Sequence, residues 1–220
     1  AFLFAVLFTT DEVPMNQLLS DMWDTLRLRY RPFETYQFPA WIYVLALVLC
    51  GISMAAVMQS NANAQPEYAL PFINQTGMVV YYVLFVVGQW WCLSYVLPKI
   101  LKQFGAEVPS LWGYMLVTQA FTMFTILYSY LPKELMVISS FFGLWTFWVQ
   151  IFGLFNVVGR LISPWKVLLS YVLSLLSFLV VLMLISSIFM IAGQMDTKEL
   201  ETKMQQIMQE QQQLQQQPSK

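Results

Sequence analysis

The sequence predicts an all-α membrane protein, a bundle of five transmembrane helices with an N-terminal amphipathic helix and a C-terminal polar helical tail. Composition is the first observation: of 220 residues, 58% are hydrophobic and only 10% are charged, too few for a surface that faces water. The second is the placement of the charges. Eight charged residues between positions 37 and 195 separate five uncharged stretches, each of about 20 residues or more, the length that a helix needs to cross a bilayer.

The composition also restricts the chemistry. A net charge of −1 argues against nucleic acid as a partner, and the absence of histidine removes the commonest general base and metal ligand. Cys50 and Cys92 fall near the middle of predicted spans, where free and buried thiols are expected. Glu107 and Glu134 are predicted on opposite faces of the bilayer, so they cannot form an acid–base pair. We therefore expect no catalytic residue, no metal and no cofactor.

Residues 1–14 are predicted to be an apolar and irregular N-terminus. The run Ala1–Phe8 is too short to span a membrane, and no basic region precedes it. Two interpretations stay open: the natural start is Met15, or the run is a short hydrophobic plug in the membrane interface.

Residues 15–38 predict a cytoplasmic amphipathic helix and a basic linker. Apolar side chains between Met15 and Leu26 recur at helical spacing, with polar residues on the other face. Arginines follow at once, a combination that suits the headgroup layer of an anionic leaflet. The residues expected at the membrane surface are Trp23, Arg27, Arg29 and Arg31. The alternative is that the apolar stripe packs on the cytoplasmic end of the bundle.

Residues 39–193 predict the five-helix transmembrane domain. Prolines lie near most boundaries, none is expected inside a span, and Pro98 is expected to stop the second one. With the N-terminus in the cytoplasm, the loops carry four basic residues inside and one outside, which places the C-terminus outside. The expected spans are about Pro39–Met58, Met78–Leu97, Ser110–Leu131, Leu135–Val158 and Val167–Ala192.

Residues 194–220 predict a glutamine-rich helical tail. Apolar or amide side chains recur at spacings of four and three, as in a short coiled-coil seam. A helical extension of the fifth span is the simpler interpretation, and self-association through the seam is the alternative. The seam consists of Leu200, Met204, Ile207, Gln211 and Leu214.

The spans contain neutral polar residues and no ionisable acid or base, which argues against ion coupling. Polar side chains on the third span form a face that would line a narrow polar path, and the residues of that predicted path are Gln89, Thr118, Thr122 and Gln150. The alternative is that these groups pack helices together, with threonine hydroxyls bonded to their own helix. Ser170 and Ser174 favour packing, since their spacing lets helices approach closely.

Short motifs resemble those of the Yip1 family of five-span membrane proteins. The third span begins with Leu111-Trp112-Gly113-Tyr114, similar to the family's aromatic-Gly-Tyr signature, and the fourth span and its loop carry a run like the family's LW…GL…K. The matching positions are Gly113, Tyr114, Trp145, Gly153 and Lys166. The acidic-Leu-x-Gly-Pro motif of the eukaryotic trafficking members is absent, so the resemblance favours the bacterial branch and implies membrane placement rather than a defined biochemistry.

From the sequence we thus expect a non-enzymatic protein of a bacterial cytoplasmic (inner) membrane, with its N-terminus in the cytoplasm. Its partners would be the lipid bilayer and either another membrane protein or a further copy of the chain, and no nucleic acid. It would act in membrane organisation or as an interaction partner. The alternative function is a transporter or channel component that uses the polar path.

Overall fold

The computed structural model of the protein describes residues 13–64, 69–130, 136–196, 198–199, 201–203 and 205. Across these ranges the chain is helical apart from short connections and one isolated antiparallel bridge between Phe72 and Met195. The helices are α1 (Val13–Leu26), α2 (Ala40–Ala64), α3 (Gln75–Trp91), α4 (Leu97–Gln103), α5 (Trp112–Ala120), α6 (Met136–Val158) and α7 (Pro164–Ile191). A π-helical segment, Cys92–Val96, joins α3 to α4, and a 3-10 segment, Phe121–Tyr130, follows α5.

Three helical stretches among the described residues are long and apolar enough to cross a membrane: Ala40–Ala62, Gln75–Gln103 and Pro164–Ile191. Two further apolar helices, Trp112–Leu127 and Leu144–Val158, are shorter. The predicted all-α fold is confirmed for the described residues, and three stretches rather than five satisfy the length and composition of a membrane span there.

The core lies where α2, α3, α5 and α6 meet, and α7 covers one side of it. Tyr114, Tyr171 and Leu93 are completely or almost completely buried there. The outer face of α7 is different, because Val180, Met183 and other large apolar side chains are exposed along it. Such a long apolar face indicates contact with lipid rather than with water.

The close packing of α2 against α3 depends on a glycine at position 51 of α2. A Cβ atom on Gly51 would lie 2.5 Å from the Cα atom of Val83 in α3, nearer than carbon atoms can approach. Small residues that let backbones come together are typical of membrane helix pairs. Cys50, beside it, is free and buried as expected, and so is Cys92.

The expected end of the second span at Pro98 is wrong. The helix continues through Pro98 to Gln103, with Pro98 in the first turn of α4. A proline inside a regular α-helix loses its own amide donor, and its ring clashes with the carbonyl four residues earlier. The π-helical segment Cys92–Val96 immediately precedes the proline, and its wider turn removes that conflict.

The third predicted span is not a uniform α-helix, because α5 gives way to ten residues of 3-10 helix. Ser53 of α2 compensates the altered backbone pattern: its hydroxyl donates to the Met123 carbonyl (3.0 Å) and accepts from the Ile126 amide (3.0 Å). A serine of α2 therefore satisfies the backbone of the third predicted span.

Contacts between distant segments define the two ends of the bundle. At one end the Asn74 side chain donates to the Gln194 side chain (2.9 Å), and the Ile73 amide donates to the Gln194 carbonyl (3.0 Å). The start of α3 and the segment after α7 therefore lie together. At the other end Tyr36, ahead of α2, contacts Gly113 at the start of α5.

The polar tail begins as a helix in its described part. The Asp196 carboxylate accepts from the amides of Lys198 (3.0 Å) and Glu199 (3.2 Å), as a helix cap does. Lys203 pairs with Glu199 (2.8 Å) and donates to the Ala69 carbonyl (3.0 Å), which ties the tail to the segment before α3. The predicted seam positions Leu200, Met204, Ile207, Gln211 and Leu214 lie outside the described residues, as do residues 1–12.

Candidate functional site

The apolar stripe of α1 is divided between two environments. Leu18 and Met22 are buried against the main core of the bundle, whereas Leu19 is 46% exposed and Trp23 is 54% exposed. The guanidinium of Arg27 lies over the Trp23 ring at 4.3 Å, a cation–π contact. One part of the stripe packs on the bundle, which is the alternative that the sequence left open. The other part faces outward and includes the predicted surface residue Trp23, with Arg27 over its ring.

A tight turn reverses the chain after α1. The Leu28 amide donates to the Thr25 carbonyl and the Arg29 amide donates to the Asp24 carbonyl, both at 2.9 Å. This is the Schellman pattern, in which the residue after the helix adopts a left-handed conformation that glycine usually provides. Leu28 occupies that position with φ +60°, which is strained for a bulky residue. The turn directs the following residues back along the end of the bundle.

Arg31 holds the turned segment to α1. Its Nη1 atom lies 3.1 Å from the carboxylate of Asp21, and its Nη2 atom donates to the carboxylate of Asp24 at 2.7 Å. Asp21 is 2% exposed. Burial raises the pKa of Asp21 above its usual 3.8, and the Arg31 guanidinium opposes that shift without cancelling it. Of the four predicted surface residues, Arg31 is thus the one that pairs with a carboxylate of the described part of the chain, and Arg29 is exposed.

Three aromatic residues of the linker surround Tyr114 at the start of the third predicted span. The ring centroids of Tyr30, Phe33 and Tyr36 lie 6.4, 4.7 and 5.7 Å from that of Tyr114. Phe33 and Tyr36 are buried. We call residues 28–36 the aromatic strap.

The strap fits because two glycines leave room for it. A Cβ atom on Gly113 would lie 2.5 Å from the carbonyl carbon of Tyr36, and one on Gly153 would lie 2.6 Å from Cζ of Tyr114. The Tyr114 hydroxyl donates to the carbonyls of Val149 (3.0 Å) and Gln150 (3.1 Å) in α6. The hydroxyl of Tyr30 donates to the Val149 carbonyl as well (3.0 Å).

Three of the five residues in the family-like motif therefore meet at one place. Gly113 and Tyr114 of α5 and Gly153 of α6 form the seat of the aromatic strap. Trp145 packs against the same core at partial exposure. Lys166 is exposed near the start of α7.

The residues of the predicted polar path separate into two groups. Thr118 and Gln150 are buried and bonded to each other, with the Gln150 amide donating at 3.0 Å. The Tyr171 hydroxyl of α7 donates to the side-chain oxygen of Gln150. Gln89 instead accepts from the Gln119 side chain (3.2 Å).

Thr122 accepts a hydrogen bond within its own 3-10 segment. Its carbonyl accepts the Thr125 hydroxyl (2.7 Å), and the Thr118 hydroxyl donates to the Met115 carbonyl (3.1 Å). Both are bonds of a hydroxyl to its own helix three residues back, the kind of local bonding that the packing alternative describes.

Sequence reasoning missed several residues of this region. The bond between Tyr171 and Gln150, and the aromatic strap itself, join positions that are far apart in the chain, and periodicity carries no such information. One signal was present for the ion pairs: Asp21 and Asp24 lie ten and seven residues before Arg31, on the helix that leads into the basic linker.

Comparison with family models, with curated proteins and with solved structures found no significant match to this chain. The resemblance to the Yip1 family stays a prediction from short motifs.

Proposed function

We propose that this chain is a non-enzymatic, five-span protein of a bacterial cytoplasmic membrane. It holds α1 and the aromatic strap against the cytoplasmic end of the bundle and presents Leu19, Trp23 and the adjacent arginines to an anionic leaflet. In this role it serves membrane organisation or binds another membrane protein. The observation that carries the proposal is the division of the α1 stripe: Leu18 and Met22 pack inward while Trp23 lies outward beneath Arg27.

The dimensions of the helices support five crossings. The continuous stretch formed by α5 and the 3-10 segment rises about 33 Å, since a 3-10 helix gains more length per residue than an α-helix. The helix α6, with 23 residues, rises about 34 Å. Both lengths match a hydrocarbon core of about 30 Å. The helices α5 and α6 would then add two crossings to the three that α2, α3 with α4, and α7 provide.

The outward face of α1 has the chemistry of a membrane-surface helix. A half-exposed tryptophan and a leucine offer apolar area to the boundary between headgroups and acyl chains. Each arginine near an anionic surface contributes about 1 kcal/mol. Arg27 and Arg29 are available for this, whereas Arg31 is shared with two carboxylates.

Depth measurement on the full chain tests the proposal. Single spin labels at position 23 and at Asn16, which is exposed on the polar face of α1, are compared in bilayer discs of anionic and of zwitterionic lipid. We expect the label at 23 to gain access to oxygen and lose access to a water-soluble relaxant in anionic discs, while the label at 16 stays in water. The double replacement Arg27→Gln, Arg29→Gln should reduce the effect. Equal water exposure of both labels in both lipids would refute the surface role.

The buried polar groups favour packing over a conduction path. Thr118, Gln150 and Tyr171 bond to one another inside the bundle, so their polar atoms are used within the protein. A stable partner that co-purifies in mild detergent would identify the process in which the protein acts.

A further inference from the structure

A cavity of about 470 Å³ lies between the aromatic strap and the end of α6. The turn residue Leu28 and the strap residues Tyr30 and Arg31 line one side, and Asn156 and Arg160 line the other. Its volume falls in the range of small-molecule sites, about 300–1,000 Å³. The cavity is open at the bundle end where the N-terminal segment docks.

A guanidinium group lies on each side of the cavity, that of Arg160 and that of Arg31, and the charge of Arg31 is shared with two carboxylates. Among the described residues no carboxylate pairs with Arg160, which is exposed. Arg31 directs Nη1 and Nη2 at Asp21 and Asp24. A guanidinium has five N–H donors, so Arg31 keeps donors for a further acceptor.

Other polar groups in the lining are already engaged, which leaves the two arginines as the principal donors. The Tyr30 hydroxyl donates to the Val149 carbonyl, and the Asn156 amide donates to the Phe152 carbonyl (3.0 Å). Two carbonyls at the end of α6 are bonded as well: those of Phe155 and Val158 accept from the amides of Gly159 (3.0 Å) and Leu161 (2.8 Å).

We propose that this cavity binds a phosphate group, held between Arg31 and Arg160, and that its source is the headgroup of an anionic lipid. Planar guanidinium groups match the oxygens of phosphate in a bidentate fashion. Leu161 follows Arg160 directly and Trp165 lies five residues after it. Both side chains are more than half exposed and offer apolar contacts for acyl chains beside the headgroup. The lipid source rests on the proposed function, which sets this end of the bundle at headgroup depth. The binding of phosphate rests on the cavity, the exposed Arg160 and the remaining N–H donors of Arg31.

The test uses the full chain and the variants Arg160→Gln, Arg160→Lys and Lys102→Gln. Lys102 provides a matched control, because it is an exposed cation outside the cavity lining, paired with Glu107 at 2.9 Å. Arg160 is exposed, so its replacement leaves the fold intact. One arm titrates phosphatidylglycerol in neutral detergent and counts bound lipid by native mass spectrometry. The other arm titrates inorganic phosphate and measures protection of the protein against heat.

We expect saturable binding of phosphatidylglycerol, weakened about tenfold or more by Arg160→Gln, less by Arg160→Lys, and less than about twofold by Lys102→Gln. Saturable protection by inorganic phosphate with the same dependence on Arg160, without binding of the lipid, would support the site and assign its ligand to free phosphate. Absence of saturable binding in both arms, or equal loss in the Arg160→Gln and Lys102→Gln variants, would overturn the proposal. Neither arm needs a bilayer, so a failure here is distinct from a failure of the spin-label experiment on α1.

Discussion

The replacement Gly113→Ala should release the aromatic strap from the bundle. The added Cβ atom would lie 2.5 Å from the Tyr36 carbonyl carbon and 2.9 Å from its Cβ, whereas carbon atoms in contact are separated by about 3.5–4.0 Å. Tyr36 must therefore move by about 1 Å or more, and Phe33 beside it loses its place against Tyr114. Phe33 and Tyr36 are 1% and 3% exposed, and burial of such a side chain contributes about 1.5–3 kcal/mol. Loss of both side chains from the seat costs about 3 kcal/mol or more.

Hydrogen–deuterium exchange in detergent measures the release directly. A change of about 3 kcal/mol raises the population of the open strap, and the exchange rate of its protected amides, by about a hundredfold. The amides to follow are those of Leu28, Arg29, Arg31 and Tyr36, which are bonded in the docked strap.

Gly88→Ala is the matched control for Gly113→Ala. Gly88 is a buried helical glycine too, but its added Cβ atom meets only side-chain atoms, the nearest at 3.4 Å. That variant should leave exchange in the strap unchanged. If Gly113→Ala also leaves it unchanged, the strap is not seated on α5 as described.

Three further predictions concern buried polar groups. Tyr114→Phe removes the donor to two α6 carbonyls and should lower the free energy of unfolding by about 1 kcal/mol, measured as a lower unfolding midpoint in detergent. An unchanged midpoint would show that these hydrogen bonds do not stabilise the fold. Ser53→Ala deprives the 3-10 segment of its cross-helix partner and should lower the free energy of unfolding by about 1–3 kcal/mol. The control Ser187→Ala, at an exposed hydroxyl bonded within its own helix, should change it by no more than about 0.5 kcal/mol; equal effects would contradict the account of the 3-10 segment. Burial raises the pKa of Asp21, so the docked state of α1 binds a proton more readily than the undocked state. Docking is therefore strongest below pH 3.8 and weakens as the pH rises through the raised pKa. A spin label at Ser20 should therefore become more mobile with rising pH, and Asp21→Asn, which keeps the neighbours Arg31 and Asp24, should flatten that dependence; a dependence that persists in the variant would assign it to another group.

Much of the fold was accessible from the sequence because charge exclusion and apolar length are local properties. The helix α1, the apolar stretches and the buried thiols follow from composition and spacing. Pro98 shows the limit of such reasoning: proline is a reliable boundary only while the preceding turn is α-helical, and the π-helical segment before it depends on how the helix packs. The 3-10 segment has the same origin, since its backbone is satisfied by Ser53 from another helix.

The sequence predicted individual residues of the site but not how they are arranged in space. The resemblance to a family singled out Gly113, Tyr114 and Gly153 as separate motif positions, and only the structure shows that they form one seat for the strap. Periodicity identified the stripe of α1 but not its division, because Leu18 and Leu19 are equally apolar and only the position of α5 and α6 decides which of them is buried.

The central claim is that five helices cross the membrane, and the accessibility of a cysteine at Tyr130 tests it most directly. Tyr130 is 82% exposed at the end of the 3-10 segment, and the native thiols at Cys50 and Cys92 are buried. Ser110 and Gln75, both exposed, provide reference cysteines for the cytoplasmic and the opposite side. Five crossings predict that a membrane-impermeant reagent labels positions 130 and 75 from outside the cell and position 110 only from the cytoplasm. Labelling of position 130 from the cytoplasmic side, together with position 110, would leave three crossings and contradict the account.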